Sequence, residues 1–111
     1  MAKEIKFKQK NPKVGDINGT LRIVGKELFL KVNSYTYAKQ LLDNFKRAGC
    51  LVEEGRNWIK IDMFHTNKNV ILGGVEFNSD DETESELEDK LYKFYMIQYA
   101  KAGMKIEGKD L

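Results

Sequence analysis

Ile5 and Phe7 alternate with Lys6, Lys8 and Lys10 between Glu4 and Lys10, the period of a strand buried on one side only. Lysine at every outward position marks first an edge strand guarded against pairing with other chains, and only secondarily a surface for phosphates. Asn11 to Gly19, NPKVGDING, is turn chemistry and predicts a loop. Asp16, Asn18 and Glu27 have part of a calcium-loop spacing, but the glycine falls directly after Asn18 and the remaining ligands are missing, so no cation site is expected.

Thr20 to Val32, TLRIVGKELFLKV, predicts a hairpin turning at Gly25-Lys26, because glycine at the first turn position permits type II′ geometry. That turn sets Val24 opposite Glu27, Ile23 opposite Leu28 and Leu21 opposite Leu30. Leu21, Ile23, Leu28 and Leu30 then share a core face, leaving Arg22, Phe29 and Lys31 on the other. Asn33 and Ser34 can cap a helix carrying Ala38, Leu41, Leu42 and Phe45 at helical spacing, with Gly49 as its stop. Cys50 to Glu54 and Asn57 to Phe64 predict a second hairpin around Gly55-Arg56. If Val52 faces Ile59, then Cys50, Val52, Ile59 and Ile61 point inward and Trp58, Lys60, Asp62 and Phe64 outward.

Asn69 to Asn78 reads as a further strand region in which Gly73-Gly74 is either a bulge or a hairpin turn. A second helix follows from Asp80 to Ala102, with Ser79 and Glu82 at capping-box spacing and Gly103 as its end, about 34 Å long at the standard rise. Met104 to Glu107 can return as a short strand. The order β-β-β-α-β-β-β-α, with that final strand, defines an α+β domain: a mainly antiparallel sheet with helices on one face. The segments VNS…KRAGCLVEEG and FNS…AKAGMKIEG suggest an internally duplicated strand-and-helix unit, although serine caps and glycine stops are general helix grammar.

A chain of 111 residues that is 41% hydrophobic and 11% aromatic has the size and the large side chains to close one core, so residues 1–111 form one domain, with residues 1–3 and 108–111 as flexible ends. No apolar run is long enough to cross a bilayer and MAKEIKFKQK has no signal-like apolar stretch, which with a single cysteine points to a cytoplasmic protein. The net charge of +2 conceals an asymmetry. Through Val70 fourteen Lys and Arg stand against seven Asp and Glu, and from Ile71 five stand against ten. A basic body joined to an acidic segment steers charged partners.

No complete catalytic signature is present, and the expectation is a non-catalytic binding protein that needs no cofactor or metal. An enzyme would have to use His65, in a turn with only Asp62 near it in sequence, or Cys50, on the inferred core face where cysteine behaves as a small hydrophobe. The sheet face opposite the helices collects Arg22, Phe29, Lys31, Trp58, Lys60 and Phe64, joined by Lys6 and Lys8 if the first strand enters the same sheet. Aromatic rings there can stack bases while the cations follow phosphates, which makes single-stranded nucleic acid the leading partner.

The second helix offers an alternative. Its acids, Asp80, Asp81, Glu82, Glu84, Glu86, Glu88 and Asp89, could occupy the cationic groove of a nucleic-acid-binding protein, in the manner of a phage-type inhibitor. Acid in a first helical turn also follows simply from the helix dipole. Leu87, Leu91, Phe94 and Gln98 form one face of this helix, and Tyr92, Tyr95, Met96 and Tyr99 another. Covering a sheet requires only one face, so the tyrosine and methionine stripe makes either a second contact inside the domain or the interface of a homodimer.

Overall fold

In the computed structural model, which describes residues 2–10, 13 and 15–111, the chain is an α+β domain. Its elements run β1 (Lys3–Gln9), β2 (Ile17–Val24), β3 (Glu27–Val32), α1 (Tyr35–Arg47), β4 (Leu51–Glu54), β5 (Ile59–Asp62), β6 (Asn69–Leu72), β7 (Val75–Asn78), α2 (Glu84–Lys101) and β8 (Lys105–Asp110). Six strands make one antiparallel sheet in the order β4-β5-β3-β2-β1-β8, and β6 and β7 form a separate ribbon. Both helices lie on one face of the sheet, where Ile5, Phe7, Leu21, Ile23, Leu28, Leu30 and Ile61 are sealed from solvent.

The β2–β3 hairpin has the register that its turn dictates: Val24 faces Glu27, Ile23 faces Leu28 and Leu21 faces Leu30. Gly25 takes a φ of +59° while Lys26 stays at negative φ, the combination of a type II′ turn. Slipping β2 by one residue would exchange buried Leu21 and Ile23 for Arg22 and Val24. That forfeits roughly 3–6 kcal/mol of burial, comparable with the whole net stability of a small domain.

Strand β1 is not an edge. It lies between β2 and β8, so its lysines do not guard a free rim; the edges are β4 and β8. Ile17 to Gly19, expected as loop, instead begin β2, because buried Ile17 continues the ladder opposite Gln9. Positions 11, 12 and 14 of that expected loop lie outside the described residues. Lys3 and the segment from Gly108 to Asp110, expected as flexible ends, are paired strand.

The second hairpin is two residues out of the expected register: Val52 faces Ile61 and Glu54 faces Ile59. The Gly55 amide donates to the Trp58 carbonyl at 2.9 Å, so the turn takes in residues as far as Trp58. A shift of two preserves the faces, and Ile61 still points inward. Gly73-Gly74 is a hairpin turn: both glycines have positive φ, and Leu72 faces Val75 across them. The ribbon buries Val70, Leu72 and Phe77 in the core. The suggested duplication does not extend to topology, since α1 is entered from the main sheet and α2 from this ribbon.

Helix α1 is capped as its sequence implies, the Ser34 hydroxyl accepting from the Tyr37 amide and Gly49 following at positive φ. Helix α2 starts later than the spacing of Ser79 and Glu82 suggests. The Ser79 hydroxyl donates to the Lys68 carbonyl, and Asn78 to Glu82 close a turn of their own: the Asp80 amide donates to Asn78 Oδ1 at 2.9 Å and the Glu82 amide to the Asn78 carbonyl at 3.0 Å. Thr83 is the cap, paired with Glu86 in a capping box, and the helix is about 27 Å long.

The tyrosine stripe of α2 is an internal contact. Tyr95 and Tyr99 are buried, Tyr92 and Met96 are half-buried against the core, and on the other flank Phe94 meets Phe77 of the ribbon edge to face. Rings run unbroken across the interior, from Phe77 through Phe94, Tyr95 and Tyr99 to Phe7 and Tyr37. One side of α2 covers the sheet and another the ribbon, so the helix needs more than one apolar face. A homodimer built on Tyr95 and Tyr99 would require this core to open.

Candidate nucleic-acid interface

The face of the sheet away from the helices is open, and strand pairing fixes its rows. One row reads Glu53, Lys60, Phe29, Arg22, Glu4, Lys109; the next reads Lys31, Thr20, Lys6, Glu107; a third reads Asn18, Lys8, Lys105. Lys6, Lys8, Arg22, Phe29, Lys31 and Lys60 therefore share one surface, as alternation along the strands requires. Trp58 joins them from the position just before β5, with the Arg22 guanidinium 5.3 Å and the Lys31 ammonium 5.9 Å from its ring. Phe64 does not join the array. It lies beyond the end of β5, half-buried against the core, and meets Phe29 only across a cleft beside the Gly25 turn.

Electrostatics divides this face in two. In the first row Glu4 is nearly buried and accepts two hydrogen bonds from Arg22, at 3.0 and 3.2 Å, with Lys109 at 3.6 Å on its other oxygen. Burial pushes the Glu4 carboxyl up, but the Arg22 hydrogen bond and the charges of Lys109, Arg22 and Lys6 outweigh it and hold the group below its ordinary value. Lys60 is paired with Glu27 at 3.4 Å. Arg22 and Lys60, both expected to contact phosphates, are thus already engaged by carboxylates.

The remaining cations of this face have no carboxylate partner among the described residues. Lys6, Lys8, Lys31 and Lys105 make no ion pair among the described residues, and Glu107, opposite Lys6, does not close on it. Lys6, Lys8 and Lys31 line a depression of about 410 Å³ together with Asn18, Thr20 and Asn33. Trp58 stands beside Lys31 at its margin. Lys105 was not among the expected site residues, since its strand was read as a short return without a place in the sheet; the alternation of Lys105, Glu107 and Lys109 was the signal.

The acids of the α2 region do not form a free array. Glu88 is buried and accepts from the Gly25 amide at 2.6 Å. Asp89 binds Lys3 at 3.0 Å, Glu82 binds Lys90 at 2.9 Å, Asp80 lies 3.6 Å from Lys68, and Glu86 serves the cap. Only Asp81 and Glu84 have no such partner among the described residues. Most of the acid is consumed in tying α2 to the sheet, the ribbon and its own first turn.

His65 lies 3.4 Å from Asp62 and is half-exposed. Cys50 is buried, and burial together with the Asp62 charge pushes its thiol up to about 11, so it stays protonated at neutral pH. Among the described residues no cluster of His, Cys, Asp and Glu could hold a metal, and no helix is long and apolar enough to cross a membrane. Comparison with protein-family models, with curated proteins and with solved structures finds no match.

Proposed function

We propose that the protein binds single-stranded nucleic acid on the open face of its sheet, as a non-catalytic binding module. The observation that carries this reading is the cluster of four lysines, Lys6, Lys8, Lys31 and Lys105, that have no carboxylate partner among the described residues, beside the indole of Trp58. The lysines contact successive phosphates, and a base stacks on Trp58 in place of the Arg22 or Lys31 cation. Arg22 and Lys60 help less than their position suggests, because a phosphate would have to compete with Glu4 and Glu27 for them. A single, buried cysteine suits a cytoplasmic setting.

Trp58 is the only tryptophan, so its fluorescence reports the site directly. Titration with a short single-stranded oligonucleotide should quench it, and the logarithm of the affinity should fall with the logarithm of salt at a slope of about −3, for four phosphates at roughly 0.7 each. Absence of binding at low salt, or binding that survives replacement of Lys6, Lys31 and Lys105 by glutamine, would sink the proposal.

A further inference from the structure

On the helix side of the sheet, a groove of about 550 Å³ separates α1 from α2 and descends to the aromatic core. Tyr37 and Leu41 form one wall, Phe94 and Tyr95 the other, and the ribbon closes the end with Ile71. The volume falls within the roughly 300–1,000 Å³ usual for small-molecule pockets.

Two observations specify the ligand. No aspartate or glutamate lines the groove, and its one charged group is Arg47, in the last turn of α1, without an ion-pair partner among the described residues. In addition, Tyr95 is only 6% exposed, yet its hydroxyl has no hydrogen-bond partner among the described residues. No fully buried side-chain oxygen or nitrogen of the described residues lacks a partner, so this hydroxyl keeps some access to solvent, and Tyr95 is a wall of this groove. A phenol left so costs stability that a ligand acceptor would recover.

We propose that this groove binds a small aromatic monoanion, its rings against Tyr37, Phe94 and Tyr95 and its acid group against Arg47. The site is independent of the lysine face and stands or falls separately from it.

Anilinonaphthalene sulfonate and phenylnaphthylamine share one aromatic body and differ by the sulfonate, which makes them a matched pair of fluorescent probes. The sulfonate should bind at one saturable site, about tenfold more tightly than the neutral amine. Arg47→Gln should remove that difference without changing the affinity for the amine. Leu41→Trp, which fills the groove from a half-buried position, should abolish both, and Tyr95→Phe should weaken the sulfonate by about threefold to tenfold. Circular dichroism checks that each variant is folded. Equal affinity for the two probes, several equivalent sites per chain, or sulfonate binding unchanged in Arg47→Gln and Tyr95→Phe would overturn the assignment.

Discussion

Lys8 of β1 and Lys105 of β8 stand directly opposite each other across the antiparallel ladder, and neither is paired with a carboxylate among the described residues. Like charges so placed destabilise a sheet by about 0.2–1 kcal/mol, a cost that a bound phosphate would reverse. Lys105→Gln should therefore raise stability in urea by a few tenths of a kcal/mol. The same substitution should weaken oligonucleotide binding and reduce the salt slope by about 0.7. A lysine kept only for solubility would show the gain in stability without the change in slope.

Trp58 should behave differently from the lysines. Base stacking on an aromatic ring contributes about 1–3 kcal/mol and does not depend on counterion release. In Trp58→Ala the affinity for a fluorescently labelled oligonucleotide should fall by at least fivefold with its salt slope unaltered. A parallel loss of slope would mean that Trp58 acts by holding Arg22 and Lys31 in place rather than by stacking.

The parts of the fold that were legible in the sequence are those set by neighbours in the chain. Gly25-Lys26 fixed the β2–β3 register, and alternation alone placed Arg22, Phe29, Lys31 and Lys60 on one face. What sequence could not supply was strand order: that β1 is interior, that β8 extends the sheet beside it, and that β6 and β7 stand apart depend on long-range packing. The same distance hid the ion pairing of Arg22 and Lys60, because Glu4 lies eighteen residues from Arg22 and Glu27 is on another strand from Lys60. Ser79 misled for a local reason: its hydroxyl donates to the Lys68 carbonyl, leaving the cap to Thr83.

Glu4 makes the open face sensitive to acid. Its folded pKa is lowered, so its contribution is fully present above the ordinary carboxylate value and is lost as pH falls through the lowered one. At neutral pH Glu4→Gln should be destabilising, since it leaves Arg22 without its buried partner. As pH drops from about 4.3 through the lowered folded value, the stability difference from wild type should shrink towards zero. A difference that stays constant from pH 7 to pH 2 would show that Glu4 contributes by packing rather than by charge.

Glu88 ties α2 to the β2–β3 turn through the Gly25 amide, which is itself buried. Glu88→Ala strands that N–H without an acceptor and should cost about 1–3 kcal/mol in urea unfolding. Neutralising exposed Glu84, one turn earlier on the helix, should change stability by less than about 0.5 kcal/mol. Equal effects at the two positions would mean that the acids act only through the helix dipole, not through this specific bond.

Tyr99 decides between the two readings of the aromatic stripe. Its ring stacks on Phe7 with centroids 4.4 Å apart, and burial pushes its hydroxyl well above the ordinary tyrosine value. A core role means that Tyr99→Ala should cost about 3–5 kcal/mol, with a midpoint in urea that does not depend on protein concentration. Tyr99→Phe keeps the stack and should lose only about 0.5–1.5 kcal/mol with the hydroxyl. If the stripe instead joined two copies, Tyr99→Ala would halve the mass seen by light scattering, and the wild-type midpoint would rise with concentration. The stack on Phe7 and the continuity of the ring chain into the ribbon favour the first outcome, because a dimer contact would have to replace burial that the monomer already achieves.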